Sequence, residues 1–377
     1  MTTRWKIAFF TDRRGTGYGG AHYTQSVIRA LQLHGFASVE IIGPPDFPQT
    51  TTPAVVKITT IKKLVRWCTG NTESLFDFIP RQELLSSHYE RQFDLALIDG
   101  SLLGSNLSWI RALLPNALTM SVFHNVEVDF IDSQSFLRRP YLILKRLAVQ
   151  RAERQAAQLD IRIALHAADS ERLRALYGKP ATYIFPITVD PKPAAIKSEF
   201  VEPEGRIVLF VGSSFKPNLD AVAWIYKILA PRISKKIVVV GRGMQVLRRR
   251  FPELPNFHIV GSVEDLSPYY RQAELVISPI CSGGGMKVKN VEALSYGKKV
   301  IASTHSAIGL DRAIDRGYVV VPRTTEEWIT EISAYTTDRM PNEKAIAEWC
   351  RKEYGFPQNA AALQECLDQE LRAFYGR

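Results

Sequence analysis

A chain of 377 residues is long enough for about two domains of roughly 150 residues each, which excludes a single small module and leaves ample sequence for a large core. Apolar residues make up 46% and charged residues 23%, close to ordinary globular usage, so disorder, collagen-like repeats and a disulfide scaffold are excluded. The formal net charge of +10 favours anionic partners, namely nucleic acid, an acidic membrane face or phosphorylated small molecules, without choosing among them.

At the amino terminus only four apolar residues, Ile7 to Phe10, run together before Thr11-Asp12-Arg13-Arg14. That is too short for the apolar region of a signal peptide, and no stretch elsewhere reaches the roughly 18 apolar residues of a membrane-spanning helix. A cytoplasmic protein is expected. Cys68, Cys281, Cys350 and Cys366 are scattered without a C-x-x-C pair, so they read as reduced thiols and no metal site is expected.

Short β-branched runs alternate with helix-period segments from end to end, the pattern of βαβ units and a parallel sheet. Strands are expected at Lys6 to Phe10, Val39 to Ile42, Leu95 to Ile98, Leu118 to Val122, Ile161 to Leu165 and Thr182 to Phe185. A second series follows at Ile207 to Val211, Ile237 to Val240, His258 to Val260, Leu275 to Ser278, Lys299 to Ala302 and Tyr318 to Val321. Asp190 to Gly205 lies between the two series, with three prolines and no periodicity, and reads as a linker. The expected organisation is a domain over 1–190, a linker over 191–205, a second domain over 206–350 and a closing helix over 351–377. Both domains are α/β, doubly wound and Rossmann-like, facing a cleft at the carboxyl ends of their strands, where open sheets bind ligands. The last segment, Asn359 to Phe374, puts Ala360, Leu363, Cys366, Leu367 and Leu371 on one apolar stripe, so this helix should pack back toward the first domain.

The most informative segment is Ile277 to Ala302. It reads as a strand, a loop holding Gly283, Gly284 and Gly285, a helix ended by Gly297, and another strand. Glycines let backbone approach a ligand, and the following helix aims its free N–H groups at it. Lys287 and Lys289 place two positive charges in the first turn, where the helix dipole disfavours cations unless an anion is bound. A phosphate site is the economical reading, set against an ordinary surface helix with Lys289 paired to Glu292.

This glycine-rich turn, with its lysines, Glu292, Ala293 and Leu294 and a glycine before the strand Lys299-Val-Ile-Ala302, resembles the nucleotide-sugar motif of family 4 glycosyltransferases, the retaining group with the GT-B fold. Ile207 to Val222 is similar to the strand and helix that open that family's second domain. Met120 to Glu127 resembles the strand-end histidine segment of a bacterial subset that builds surface polysaccharides and glycolipids. The resemblance implies that Glu292 accepts hydrogen bonds from ribose hydroxyls and that Lys287 and Lys289 hold the diphosphate. Gly212, Ser213, Lys216, Val263 and Met286 fall on the donor side with the three glycines. It also implies that His124 hydrogen-bonds the donor sugar and that Asn125, Glu127 and Asp129 contact the acceptor. Gly284 stands where the family has its first acid, and Ser213 and Ser214 stand near its arginine.

Gly15-Thr-Gly-Tyr-Gly-Gly20 also matches G-x-G-x-x-G, with Glu40 at about the spacing of a ribose-binding acid, which suggests a dinucleotide dehydrogenase. Thr11 to Arg14 separate it from its strand, whereas that fingerprint turns at once. Gly19 and Gly20 before a helix also fit the first loop of the GT-B fold, near the donor phosphate or the acceptor. Basic residues gather at Arg138, Arg139, Lys145, Arg146, Arg151 and Arg154 among apolar neighbours, and again in Ile61 to Trp67. Such chemistry suits either a solvated face or an anionic membrane surface, and no nucleic-acid module accompanies it. The expectation is a metal-independent glycosyltransferase, with no cofactor, that transfers a sugar from a nucleotide-sugar donor to a glycan or lipid-linked acceptor. The alternatives are a sugar-nucleotide epimerase, a non-catalytic sugar-nucleotide-binding protein and the dehydrogenase.

Overall fold

The computed structural model describes residues 5–11, 19–42, 67, 92–132, 141–190, 205–252, 254–335 and 343–376. They form two compact units, Met1–Ile187 with Phe356–Arg377, and Thr188–Gly355. Most of the expected linker (191–204), residues 15–18 of the first glycine motif, residues 61–66 of the short basic run, and Phe136, Arg138 and Arg139 lie outside the described residues.

The first unit runs β1 (Trp5–Phe10), α1 (Gly19–Gln32), β2 (Ala37–Ile42), β3 (Leu95–Asp99), α2 (Leu107–Leu113), β4 (Leu118–Phe123), α3 (Glu127–Asp132), α4 (Leu142–Ala156), β5 (Ile161–Ala164), α5 (Ala167–Tyr177) and β6 (Tyr183–Ile184). Its six-stranded sheet has the order β2-β1-β3-β4-β5-β6, and each neighbouring pair is parallel. Every residue of β3 and β4 is buried, as a parallel sheet covered on both faces demands.

The second unit runs β7 (Ile207–Val211), α6 (Lys216–Trp224), β8 (Ile237–Val240), β9 (Phe257–Gly261), α7 (Ser267–Gln272), β10 (Ala273–Ser278), α8 (Val288–Ser295), β11 (Lys299–Ala302), α9 (Asp311–Asp315), β12 (Val319–Val320), α10 (Thr325–Ala334) and α11 (Glu343–Tyr354). Its strands, again parallel, take the order β12-β11-β10-β7-β8-β9. Phe210, Val222, Ile225, Leu229, Val239, Phe257, Ile277 and Trp328 belong to one core between sheet and helices. Gly297 ends α8 in the left-handed region at φ 75°, and a Cβ there would run into the backbone carbonyl of Glu343 in α11. Both units are therefore Rossmann-like.

Every strand expected from the sequence is present. The edge strands β6 and β12 are two residues long, shorter than expected. The final helix, α12 (Phe356–Tyr375), belongs to the first unit and starts three residues before the expected Asn359. Ala360, Leu363, Leu367 and Leu371 are fully buried, and Gln364 Nε2 donates to the carbonyls of Ala30 and Leu33 at 2.7 and 2.8 Å. Cys366 is only half-buried, since the stripe advances in steps of four and leaves it to one side. Residues 351–354 belong to α11 rather than to this helix.

In each sheet the chain reverses its direction of growth once, between β1 and β3 and between β7 and β10. These switch points are where doubly wound sheets place ligands. At the second, the loops after β7 and β8 touch through glycines: Gly241 has φ 143°, and a Cβ on it would collide with the Gly212 carbonyl. Gly241→Ala is expected to cost roughly 2 to 4 kcal/mol, from backbone strain together with overpacking, measured as a lower urea midpoint of unfolding.

Candidate functional site

The loop after β10 carries Gly283 at φ 95° and Gly285 at φ 66°, conformations that favour residues without a Cβ. Lys287 stands at the N-cap of α8, one residue before the first turn in which the sequence suggested it. Its Nζ donates to the carbonyls of Gly285 at 2.7 Å, Gly284 at 3.0 Å and Gly283 at 3.5 Å. Carbonyls of the glycine loop, rather than amides, thus face this ammonium. Lys289 Nζ donates to Asn218 Oδ1 at 2.7 Å and lies 5.0 Å from the centre of the Phe210 ring, a cation–π contact. Both lysines are therefore held rather than mobile, and among the described residues neither has a carboxylate within ion-pair distance.

Burial lowers the Lys287 pKa to about 8. For Lys289, burial and then the charge of Lys287 lower it to about 7. Each shift reflects the cost of holding an ammonium away from water without a counter-charge. His305, in the loop after β11, completes the cluster with its Nε2 against the Gly283 carbonyl. Its pKa is lowered by burial and by Lys287.

Asn218 ties this lysine site to the neighbouring loop. Its Nδ2 donates to the Ser213 carbonyl at 2.9 Å while its Oδ1 receives Lys289. Glu292 does not pair with Lys289. Instead its Oε2 accepts from the Tyr270 hydroxyl at 3.2 Å, and Tyr270 stacks on Tyr296 with centroids 4.9 Å apart.

In the first unit a second polar cluster sits at the carboxyl ends of β1, β3 and β4. Asp99 is 1% exposed. Its Oδ2 accepts from the hydroxyls of Thr11 and Thr24, both at 2.7 Å, and its Oδ1 lies 2.7 Å from His124 Nε2. Tyr23 meets the His124 ring edge-on at 5.1 Å and donates to the Phe185 carbonyl at 2.6 Å. Behind this cluster the fully buried Glu153 of α4 accepts from the amides of Glu127 at 2.8 Å and Val128 at 3.1 Å, capping α3. It also accepts from Ser101 and Tyr177 at 3.1 and 3.0 Å. Burial raises its pKa to about 7. Among the described residues no group of three or more His, Cys, Asp or Glu side chains is placed to hold a metal ion.

Residues 205–338 match the model of the family Glycosyl transferases group 1. The match spans β7 to α10 and so contains the whole lysine and glycine cluster. A sequence search against curated proteins finds no match. Among solved structures, sucrose-phosphate synthase from Thermosynechococcus elongatus superposes with a TM-score of 0.74 at 17% identity, over 98% of this chain and 100% of that one. A glycosyltransferase from Rickettsia africae gives 0.66 at 14%, over 98% and 99%. Anabaena HepE, solved in complex with UDP-glucose, gives 0.64 at 13%, over 97% and 99%. At such identities the likeness is one of fold, and the fold is that of the GT-B glycosyltransferases.

Within the group 1 region the structure brings together Gly283, Gly284, Gly285, Met286, Lys287 and Lys289, and links them to Ser213 and Gly212 through Asn218. Lys216 does not join them: its Nζ pairs with Asp220 at 2.8 Å, 80% exposed. Val263 is half-buried in the loop after β9, and Gly19 and Gly20 open α1 of the first unit. Asn125 and Glu127 are half-buried at the start of α3, and Asp129 is engaged by Arg172 at 2.7 Å. Sequence reasoning missed Asn218, His305, Asp99 and Glu153. Asp99 had a signal, a carboxylate ending an otherwise apolar strand.

The lysine shifts have a stability consequence. A lysine whose folded pKa lies below its unfolded value binds fewer protons when folded, so stability rises with pH between the two. Wild type should therefore gain stability relative to Lys289→Met as pH rises from 7 to 9, by up to about 1.4 kcal/mol per pH unit, read from parallel denaturant titrations.

Proposed function

We propose that the protein is a retaining glycosyltransferase that moves a sugar from a nucleoside-diphosphate sugar to a glycan or lipid-linked acceptor, in bacterial polysaccharide or glycoconjugate assembly. The observation that carries this reading is the pair of partly buried ammonium groups, Lys287 and Lys289, without a carboxylate partner among the described residues, beside a three-glycine loop at a sheet switch point. Two ammonium groups on neutral acceptors favour an anion beside them. The UDP-glucose named for the Anabaena structure supports a nucleotide sugar as that anion.

As the bond from the anomeric carbon to the diphosphate breaks, negative charge grows on the leaving group. Lys287 exchanges glycine carbonyls for phosphate oxygens, and Lys289 supplies the second charge from its seat on Phe210 and Asn218. Fixed positive groups aimed at developing charge are commonly the largest catalytic term, with roughly 100- to 1000-fold lost when one donor is removed. Glu292, oriented by Tyr270, accepts from the ribose hydroxyls. By the family resemblance, His124 hydrogen-bonds the donor sugar, and Asn125, Glu127 and Asp129 serve the acceptor. A phosphate oxygen of the donor takes the acceptor proton, so no protein side chain is assigned as general base. The lysines do what a divalent ion does elsewhere, and turnover should persist unchanged in EDTA, measured as nucleoside diphosphate release.

The direct test is a thermal-shift panel of nucleoside diphosphates and their sugar conjugates. A ligand at 100 times its Kd stabilises by about 2.7 kcal/mol, so one member should raise the Tm, and Lys287→Ala and Glu292→Ala should blunt the rise. A flat panel on folded protein overturns the reading. Because the anion restores the protonated form of both lysines, binding at pH 8 should take up protons. Calorimetry in buffers of different ionisation enthalpy reads that uptake, and affinity should fall between pH 7 and 9.

A further inference from the structure

The surface of the first unit carries a feature that the donor chemistry does not use. Helix α4, Leu142–Ala156, contains four cations, Lys145, Arg146, Arg151 and Arg154, and one acid, Glu153. Glu153 is fully buried and bonded to the amides that open α3, so the helix cannot rotate about its axis without breaking that cap. Leu142, Val149, Ala152 and Ala156 are buried with it, and Gly104, whose Cβ would collide with the Ala152 carbonyl, lets the preceding turn approach this side closely.

With that side fixed inward, the opposite side is fixed outward. Ile143 is 53% exposed and Leu147 54%, one helical turn apart, and Arg151 and Arg154 continue the same stripe in exposed positions. Tyr141, 39% exposed, stands at the N-cap with its ring stacked 5.8 Å from Trp67, over which Lys145 also lies at 5.8 Å. The acids of its neighbour α3 are Glu127, half-buried beside Glu153, and Asp129 and Asp132, which are paired with Arg172 and with Arg146. The stripe is thus apolar at its amino-terminal end and cationic at its carboxyl-terminal end.

We infer that the outward face of α4 docks on an anionic lipid surface, with Ile143 and Leu147 entering the acyl boundary and Arg151 and Arg154 on the lipid phosphates. Two large aliphatic side chains in water followed by two arginines match the layering of an interface, apolar below and anionic above. A soluble protein partner of that composition would need an acidic rim around an apolar socket, whereas a bilayer presents both everywhere. No helix among the described residues is long and apolar enough to cross a membrane, so the contact is peripheral. Sugar transfer to a lipid-linked acceptor, as proposed above, gives such docking a use, but the docking rests on α4 alone.

The test is co-sedimentation of the full chain with vesicles of phosphatidylcholine alone and of phosphatidylcholine with phosphatidylglycerol at 3:1. Binding is expected on the anionic vesicles, weakened by salt, and absent from the neutral ones. Arg151→Gln and Arg154→Gln should each reduce the partition coefficient about fivefold, and the double variant Ile143→Ser/Leu147→Ser should abolish binding with Tm unchanged, since both side chains are exposed. Failure of the wild type to bind anionic vesicles overturns the inference, as does binding that these variants leave intact. A concentration-dependent dimer lost in the double variant, without vesicle binding, also overturns it by making the face a self-interface. The thermal shift with nucleoside diphosphates is read on the same variants and should be retained, so failure of docking and failure of the donor reading are told apart.

Discussion

Two ammonium groups held partly out of water, with an amide oxygen, three carbonyls and an aromatic ring in place of a carboxylate, set the terms for the second unit. Hydrogen bonds to neutral acceptors and a ring face offset only part of the cost of desolvating a charge. The lowered lysine pKa values express what is left over. Everything around the pair serves to keep it in place despite that cost. Gly241 lets the β8 loop press on Gly212, Asn218 joins the β7 loop to Lys289, and His305 fastens the glycine loop from the far side. The cost of desolvating the two ammonium groups is what an anion at this position would offset.

The first unit handles a buried charge in the opposite manner. Asp99 is almost fully buried, and it receives two hydroxyls and an imidazole, all at 2.7 Å. A carboxylate so supplied is satisfied, and the arrangement fixes the orientation of His124 at the end of β4. Glu153 is intermediate, with two amides and two hydroxyls as partners but a pKa still raised by burial. The lysine pair of the second unit is thus held by neutral acceptors, whereas the polar groups around Asp99 and Glu153 serve internal order.

Much of this was legible in the sequence, for definite reasons. Strands buried on both faces are written as continuous apolar runs, and Gly297 marks the end of α8 because a left-handed residue is needed there. The glycine and lysine pattern of 283–289 announces itself because it breaks ordinary helix chemistry. What escaped was long-range. Asn218 looks like a common helix-start residue until Lys289, 71 positions away, is seen on its oxygen. His305 has no motif around it. Lys216 stands at a suggestive position, but Asp220 lies one turn on, and the local i,i+4 pair captured it. For Asn218 and His305 the deciding contact joined segments that only the sheet order brings side by side.

The membership of α12 in the first unit bears on how the molecule is made. Its buried stripe, its bonds to Ala30 and Leu33, and the Trp5 indole bonded to Asp368 at 2.9 Å join a helix made late in this sequence to the strand β1, whose Trp5 is made 363 residues earlier. The second unit, Thr188–Gly355, is continuous in the chain and can close while synthesis is under way. The first cannot, because the surface of α1 that receives α12 stays uncovered until the carboxyl-terminal segment leaves the ribosome. The earlier-made half therefore matures later, and during that interval its exposed apolar seam depends on a helix that has yet to emerge.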